Sequence, residues 1–346
     1  MPSTSGSGRG GRASIGDVAR LAGVSLQTVS RVSNGSTAVR AGTRIRVLEA
    51  MASLGYAPNH AARALRYGSF QAIGVVAHRL ARTGETRTVE AVVEAARREG
   101  FTVSLVDVVT PSPDDVSDAV QRLENQAVDG LVVIRAETAT PETLALPEHL
   151  PVVVADSRFV GRHAAVGADE RGGARAAVDH LVGLGHRRVH HLAGPDGSVP
   201  ARLRSDGWRA ACAAAGVAAP EPIAGDWTAE SGYVAGRVLA ADPEVSAVFC
   251  ANDEMAVGVV RALFEAGRRV PDDVSVVGFD DIPLAGYLWP PLTTVVHDFE
   301  RVGAALVELL VRQIRERTDL SAERVVVPAP LVVRASTAPP PGGTAR

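Results

Sequence analysis

The chain has 346 residues, an apolar fraction of 46%, only 4% aromatics and a formal charge of −3, which suits two or three domains whose cores rest on Ala, Val and Leu. No apolar run reaches the roughly 18 residues that a membrane-spanning helix needs, and the Gly-, Ser- and Arg-rich stretch Met1 to Arg12 lacks the apolar centre of a secretory signal. Cys212 and Cys250 stand alone in apolar runs, so neither a disulfide framework nor a zinc site is indicated, and a cytoplasmic protein without metal or cofactor is expected.

The charge is unevenly placed. Residues 1–68 hold nine arginines against two acids, Asp17 and Glu49, while the remainder is acidic; every Lys/Arg position in the chain is Arg. A basic N-terminal module on an acidic body suits a polyanion reader joined to a separate sensor. In chain order, residues 1–13 read as a disordered leader. Ser14 precedes Asp17 by three residues, a capping-box start. Ile15, Val18, Ala19, Leu21 and Ala22 then follow at the spacing of one helix face. Gly23 permits a tight turn, and Ser25 can cap a second helix, Leu26 to Ser33, with Val29 and Val32 inward and Asn34-Gly35 as its stop. A third helix is predicted from about Thr43 to Ser53, with Ile45, Val47, Leu48, Met51 and Leu54 apolar and Gly55 at its end. Two short helices around a Gly turn, braced by a third, make a helix-turn-helix over 14–58, whose second helix enters the major groove. On it Leu26, Gln27 and Arg31 face outward. Gln suits adenine and Arg suits guanine, each by a bidentate pair. Thr28, Ser30 and Asn34 are small polar groups suited to phosphates. Taken singly, Gln27 or Arg31 would read as an ordinary solvated helix face.

The runs Ile15-Gly16-Asp17-Val18-Ala19, Ala22-Gly23-Val24-Ser25 and Thr28-Val29-Ser30-Arg31-Val32, followed by Asn34, resemble the headpiece signature of the LacI/GalR family of bacterial transcriptional regulators. Tyr56-Ala57-Pro58-Asn59 and Ala62-Arg63-Ala64-Leu65 resemble that family's hinge. The resemblance implies that Leu26, Gln27 and Arg31 read bases. It also implies a hinge helix over 59–68 that joins Tyr56, Asn59, Ala62 and Leu65 to the DNA contacts. Leu65 would be a minor-groove wedge of the kind that kinks a base step. A plain linker, helical by composition, is the other reading of this stretch.

From Ala72 onward β-rich runs alternate with helical patterns. Strands are predicted at 73–77, 102–108, 130–134 and 151–155, with helices at 89–99 and 114–126. A second series follows, with helices at 170–184, 201–215, 229–240 and 254–266 and strands at 188–193, 247–251 and 274–279. Such alternation means parallel sheets with crossover helices, and two series mean two α/β lobes. The fold class is therefore an all-α helix-turn-helix headpiece plus a two-lobed α/β, parallel-sheet domain like a periplasmic binding protein. That domain is placed at 69–335, with one lobe from 69–168 and 297–326 and the other from 169–296 and 327–335. Ligands in such folds bind beyond the carboxyl ends of the strands. Asp156, Asn252 and Asp280 follow apolar strands there, and Arg204, Trp227 and Phe299 could join them. Sugars suit that mixture, since hydroxyls pair with charged groups and a pyranose face stacks on an aromatic ring. Asn252 or Asp280 could equally cap the next element, and Trp227 could be core.

The runs Leu192 to Pro195, Ser198 to Arg204, Gly225-Asp226-Trp227, Ala251 to Ala256, Ser275 to Asp281 and Pro290 to Val295 are similar to the lactose-responsive branch of the same family, so that the likeness extends from about Ser14 to Arg334. It implies an effector cleft of Asp156, Arg204, Trp227, Asn252, Asp280 and Phe299. Arg204, Asn252 and Asp280 would hold hydroxyls, Trp227 and Phe299 would be apolar walls, and Ala77 and His78 would line the other lobe. Pro200 stands where that branch has a sugar-binding Ser, and His78-Arg79 replaces small residues. A galactoside-like sugar is the expected effector. Residues 336–346 read as a disordered tail without leucine heptads, so a homodimer on pseudopalindromic double-stranded DNA is expected. A free sugar receptor without DNA function is the alternative. An enzyme is not expected: adjacent Asp280 and Asp281 point apart and do not form the facing pair that glycoside hydrolysis needs.

Overall fold

The computed structural model describes residues 13–33, 36, 38–56, 69–108, 112–134, 146–155 and 161–341. It separates into two compact units, Met1–Phe70 and Gln71–Arg346. The expected hinge at 59–68 and nearly all of the expected leader fall outside the described residues.

In the first unit α1 (Ile15–Ala22) opens with a full capping box. Ser14 Oγ accepts the Asp17 amide at 3.3 Å, and the Asp17 carboxylate accepts the Ser14 amide at 2.9 Å. Gly23 ends it at φ 64°, a conformation Gly adopts without steric cost. Ser25 Oγ accepts the Thr28 amide and starts α2 (Leu26–Ser33), and α3 (Ala41–Ser53) closes the unit. The core is Val18, Ala19, Ala22, Val29, Val32, Val47 and Ala50, with Met51, Leu54 and Tyr56 against it. Ile45 and Leu48, predicted with the apolar face of α3, are instead more than half exposed. At 100° per residue they sit away from Val47, Ala50 and Leu54.

The second unit holds two six-stranded sheets. The N-lobe elements are β1 (Ala72–His78), α4 (Thr83–Arg98), β2 (Thr102–Val108), α5 (Pro113–Asn125), β3 (Gly130–Ile134), β4 (Val152–Ala155) and β5 (Ala164–Ala168). The chain crosses to α6 (Glu170–Gly183), β6 (His190–Ala193), α7 (Val199–Ala215), β7 (Ile223–Ala224), α8 (Ala229–Ala241), β8 (Ala247–Cys250), α9 (Asp253–Glu265), β9 (Ser275–Asp280) and β10 (Thr293–Val296). It returns through α10 (Phe299–Glu316) and β11 (Arg324–Val327) and crosses last to β12 (Leu331–Val332). The strand orders are β11-β5-β4-β3-β1-β2 and β12-β10-β9-β8-β6-β7. All pairings are parallel except β10 with β12. Sheets covered on both faces call for continuous apolar runs, which Val152-Val153-Val154 and Leu131 to Ile134 supply, all buried. Each sheet reverses its strand order once, at β1/β3 and at β6/β8, and those switch points open crevices at the carboxyl ends.

Two expectations are corrected here. The chain beyond Arg334 is not a free tail over its whole length. Ser336 is fully buried, its Oγ donates to Val276 O and accepts the Thr293 amide, and its carbonyl accepts the Val276 amide. Ala338 is held by Ser275 and His186. Small polar residues bond the sheet edge here, a role composition does not reveal. The N-lobe also keeps Val327, which pairs with Ala168 one residue past the expected boundary.

In the C-lobe core His191 lies stacked between Trp208 and Phe249 at 5.1 and 4.9 Å, with Ser205 and Phe249 O on its nitrogens. Burial disfavours the imidazolium and lowers its pKa to about 4. The unfolded chain therefore binds this proton first as pH falls. His191 should contribute its full stability above pH ~6.5 and lose on the order of 3 kcal/mol as pH drops to ~4. Thermal melts at pH 7 and pH 4.5 should show a smaller difference for His191→Gln than for the wild type; equal differences would rule this out.

Candidate functional site

In the second unit a cavity of about 640 Å³ lies at the carboxyl ends of β1, β2, β7, β8 and β9. One wall is the N-lobe segment from Arg79 to Glu85, with Asp107 beside it. The other is the C-lobe set Arg204, Asp226, Trp227, Thr228, Asn252, Glu254 and Asp280.

Arg204, on the first turns of α7, is 1% exposed. Its Nε donates to Glu170 Oε2 at 2.6 Å, its Nη2 lies 3.1 Å from Asp280 Oδ1, and its Nη1 donates to Ala251 O. The guanidinium carbon sits 3.7 Å from the Phe279 ring centroid and 5.4 Å from that of Trp227, so aromatic faces contribute to holding the cation. Asp280 closes β9 at φ 106°, left-handed backbone that turns its carboxylate to Arg204. Asp281 turns the other way, 2.7 Å from Arg334 Nη1. The two carboxylates are thus committed to different arginines. Behind them Asp253 accepts from Thr294 Oγ1 at 2.6 Å and from the Ile282 amide at 2.9 Å. Burial, then the charge of Asp280, pushes its pKa well above the usual carboxylate range.

Trp227 is 8% exposed, and its ring packs on Gly194, where a Cβ would collide with the indole. Asn252 lines the cavity and caps α9: its Oδ1 accepts the Met255 amide at 3.0 Å. Its Nδ2 donates to Trp227 O at 3.0 Å and to Glu254 Oε2 at 2.7 Å. The helix-cap reading thus describes its present bonds, and it ties the Trp227 loop to α9.

Four of the six expected effector residues, Arg204, Trp227, Asn252 and Asp280, therefore share one cavity. Asp156 lies outside the described residues. Phe299 is elsewhere: it is buried at the start of α10, stacks on His297 at 4.1 Å, and lines a separate depression with Arg87 and Glu94. Its place at the head of a helix that packs on α4 takes the ring to the helix groove. Ala77 and His78 are buried within β1, and the lining begins at Arg79. Sequence reasoning missed Arg82 and Glu85 at the start of α4, Asp107 near the end of β2, and Glu170, which lies behind Arg204. The cue for Glu170 was an acid directly after the N-cap Asp169. Among the described residues no His/Cys/Asp/Glu group could hold a metal ion.

On the first unit Leu26, Gln27 and Arg31 are exposed on α2, and Thr28 and Ser30 are half-buried. Thr28 Oγ1 lies 2.9 Å from Ser25 Oγ. Tyr56 packs on the headpiece core. Asn34, Asn59, Ala62 and Leu65 lie outside the described residues. No helix among the described residues is long and apolar enough to cross a membrane.

Residues 14–59 match the model of the bacterial regulatory proteins, lacI family, and residues 178–337 match a periplasmic binding protein-like domain. The ribose operon repressor of Escherichia coli K12 is 33% identical over 330 residues, covering 94% of this chain and 99% of that protein. The lactose operon repressor of the same strain is 36% identical over 342 residues, covering 95% and 92%. Among solved structures, the lac repressor dimer bound to operator and the anti-inducer ONPF superposes with a TM-score of 0.83 at 34% identity, covering 95% of this chain and all of that one.

Proposed function

The chain belongs to the lacI family of bacterial regulatory proteins, and from that premise we propose that it is a repressor of sugar-utilisation genes, working in the cytoplasm as a homodimer on pseudopalindromic operator DNA and released by a sugar. It is not an enzyme: the repressors it resembles are regulators, and Asp280 and Asp281 each serve a different arginine.

The observation that carries the effector half is the cavity itself, where Arg204, Asp280 and Asn252 stand beside the Trp227 ring between two lobes. Polar groups around an aromatic face suit a sugar ring. A galactoside is the favoured class through the likeness to the lactose operon repressor. Because three crossovers join the lobes, a ligand bound between them would bias their relative angle, and through it the hinge segments 59–68. Coupling of this kind is reciprocal, so operator DNA must weaken the effector by the factor that the effector weakens DNA.

The test is a fluorescence-anisotropy titration on a labelled pseudopalindromic fragment from the gene's own upstream region, repeated with lactose, allolactose, galactose, ribose, cellobiose and maltose. Release by one sugar supports the proposal and names the effector class. Tight binding that no sugar releases removes the sugar and points to a nucleobase or another ligand. Binding to no fragment removes the repressor reading. In the same assay Arg31→Ala should weaken specific binding roughly tenfold to hundredfold and leave sugar affinity unchanged. A loss equal on specific and random DNA would show Arg31 to be a phosphate contact instead.

A further inference from the structure

The chain leaves β9 through a turn of uncommon backbone. Asp280 and Asp281 are consecutive non-glycine residues with positive φ, 106° and 50°, a conformation that L-residues keep only where their surroundings hold it. Each residue of the turn has its own anchor. Asp280, on the cavity wall, faces Arg204, with Oδ1 3.1 Å from Nη2. The Ile282 amide donates to Asp253 Oδ2 at 2.9 Å. Between these two, Asp281 Oδ1 lies 2.7 Å from Arg334 Nη1. Asp281 and Arg334 both stand outside the cavity lining.

Arg334 is itself fixed from several sides. Its Nη1 also donates to Leu292 O at 2.9 Å, and its backbone amide donates to Thr293 Oγ1 at 2.9 Å. The next amide, of Ala335, donates to Pro291 O at 3.0 Å. The strand that the last crossover delivers, β12, thus ends in a post set behind the Asp280 turn.

We infer that Arg334 is a positioning residue of the effector site: through Asp281 it holds the left-handed turn that aims the Asp280 carboxylate at Arg204. This rests on the reading of the cavity as the sugar site. The ion pair at Asp281 offsets the conformational cost of the turn. Both of its side chains are 24% exposed, so an Asp281 that lost its cation has water to turn to. The turn then relaxes toward negative φ, which rotates the peptide between Asp280 and Asp281 and carries the Asp280 carboxylate off Arg204. Hydrogen bonds weaken steeply with misalignment, so a sugar hydroxyl set on Asp280 is lost by a small rotation. The headpiece belongs to the other compact unit, and its DNA-reading face is not part of this device.

The experiment is isothermal titration of the full-length protein with lactose, galactose, ribose and cellobiose, beside operator anisotropy and the crystal structure of a single variant. For the sugar that binds the wild type, Arg334→Gln should bind it about tenfold more weakly, with operator affinity unchanged. Arg334→Lys should stay within about threefold of the wild type, because one nitrogen makes both side-chain contacts and an ammonium can take its place. Asp281→Asn tolerates positive φ but drops the charge. It should lose as much as Arg334→Gln, and the double variant should lose no more than either single one, since both act through one pair. Asp281→Asn also serves, in titration and in the crystal, if Arg334→Gln does not fold. Ser336→Ala is the control for a merely structural role. It cuts the bonds to Val276 and Thr293 nearby, and should lower the melting temperature while leaving sugar affinity alone. An equal loss of affinity in Ser336→Ala, or additive losses in the double variant, would make Arg334 a structural anchor only and overturn the inference with the sugar reading intact. So would a crystal structure of the single variant with Asp280 still on Arg204. Binding of none of these sugars by the wild type counts against the sugar reading, and the crystal structure then decides the clamp by itself.

Discussion

Replacing Arg204 by Ala should lower the melting temperature of the protein by roughly 6 °C or more and abolish its response to effector. The first part follows from burial. Glu170 and Asp280 keep their places when the guanidinium is removed, and they are left as two buried carboxylates 1% and 7% exposed with their main counter-charge gone. Removing one partner of a buried pair costs about 3–5 kcal/mol, and for a unit of this size each kcal/mol is about 2–4 °C. The bond to Ala251 O is lost as well, which loosens the end of β8 beside Asn252. Arg204→Met combined with Glu170→Gln should regain much of the stability, since volume is kept and one buried charge is gone, but it should regain none of the effector response. That contrast separates the electrostatic cost from recognition. A melting temperature for Arg204→Ala within 2 °C of the wild type would mean that the ion cluster is not formed as described.

The second large effect is expected at Gly258. Helices α8 and α9 cross with their backbones in contact: a Cβ on Gly258 would collide with Ala229 O and Tyr233 N and come within 2.7 Å of Gly232 C, and a Cβ on Gly232 would collide with Met255 O. Backbone cannot rotate aside as a side chain can, so the helices must separate. Gly258→Ala should therefore cost about 3 kcal/mol, the upper range for overpacking a core. The strain should also reach the cavity, because Thr228 caps α8 next to Trp227 and Asn252 caps α9. Effector affinity should fall with stability, while operator binding of the effector-free protein should persist. Gly183→Ala is the control. It is helical with open space around a Cβ, and should be neutral or stabilising by about 0.5–1 kcal/mol. Chemical denaturation of the three proteins decides the matter; equal midpoints for Gly258→Ala and the wild type would remove the close contact.

Both effects depend on features of very different legibility. The headpiece could be read directly because its signals are local: Ser14 with Asp17, the Gly23 turn and the Ser25 cap each act within a few residues, and the structure shows each bond. The alternation of apolar runs and helical patterns likewise determined two α/β lobes, since strands buried on both faces must be continuously apolar. Strand ends could be placed, and with them Asn252 and Asp280, because ligands in parallel sheets meet the carboxyl ends; Arg204, on α7, was expected in the cleft from the family resemblance. Helix α10 was within reach too: Val302, Leu306, Leu309 and Leu310 recur at helical spacing and are buried.

Tertiary structure decided the rest. Nothing local to Phe299 shows that its ring stacks on His297 and faces a different depression, because that depends on where α10 meets α4. Nothing local to Ser336 shows that it bonds β9 and β10 some 40 to 60 residues away. Glu170 and Arg204 are 34 residues apart in sequence and 2.6 Å apart in space. Their pairing exists only because the crossover from β5 to α6 brings an acid under the start of α7. Short-range hydrogen bonds and periodicity are written in neighbouring residues, whereas the charge of a cleft is a sum over segments that only folding brings together.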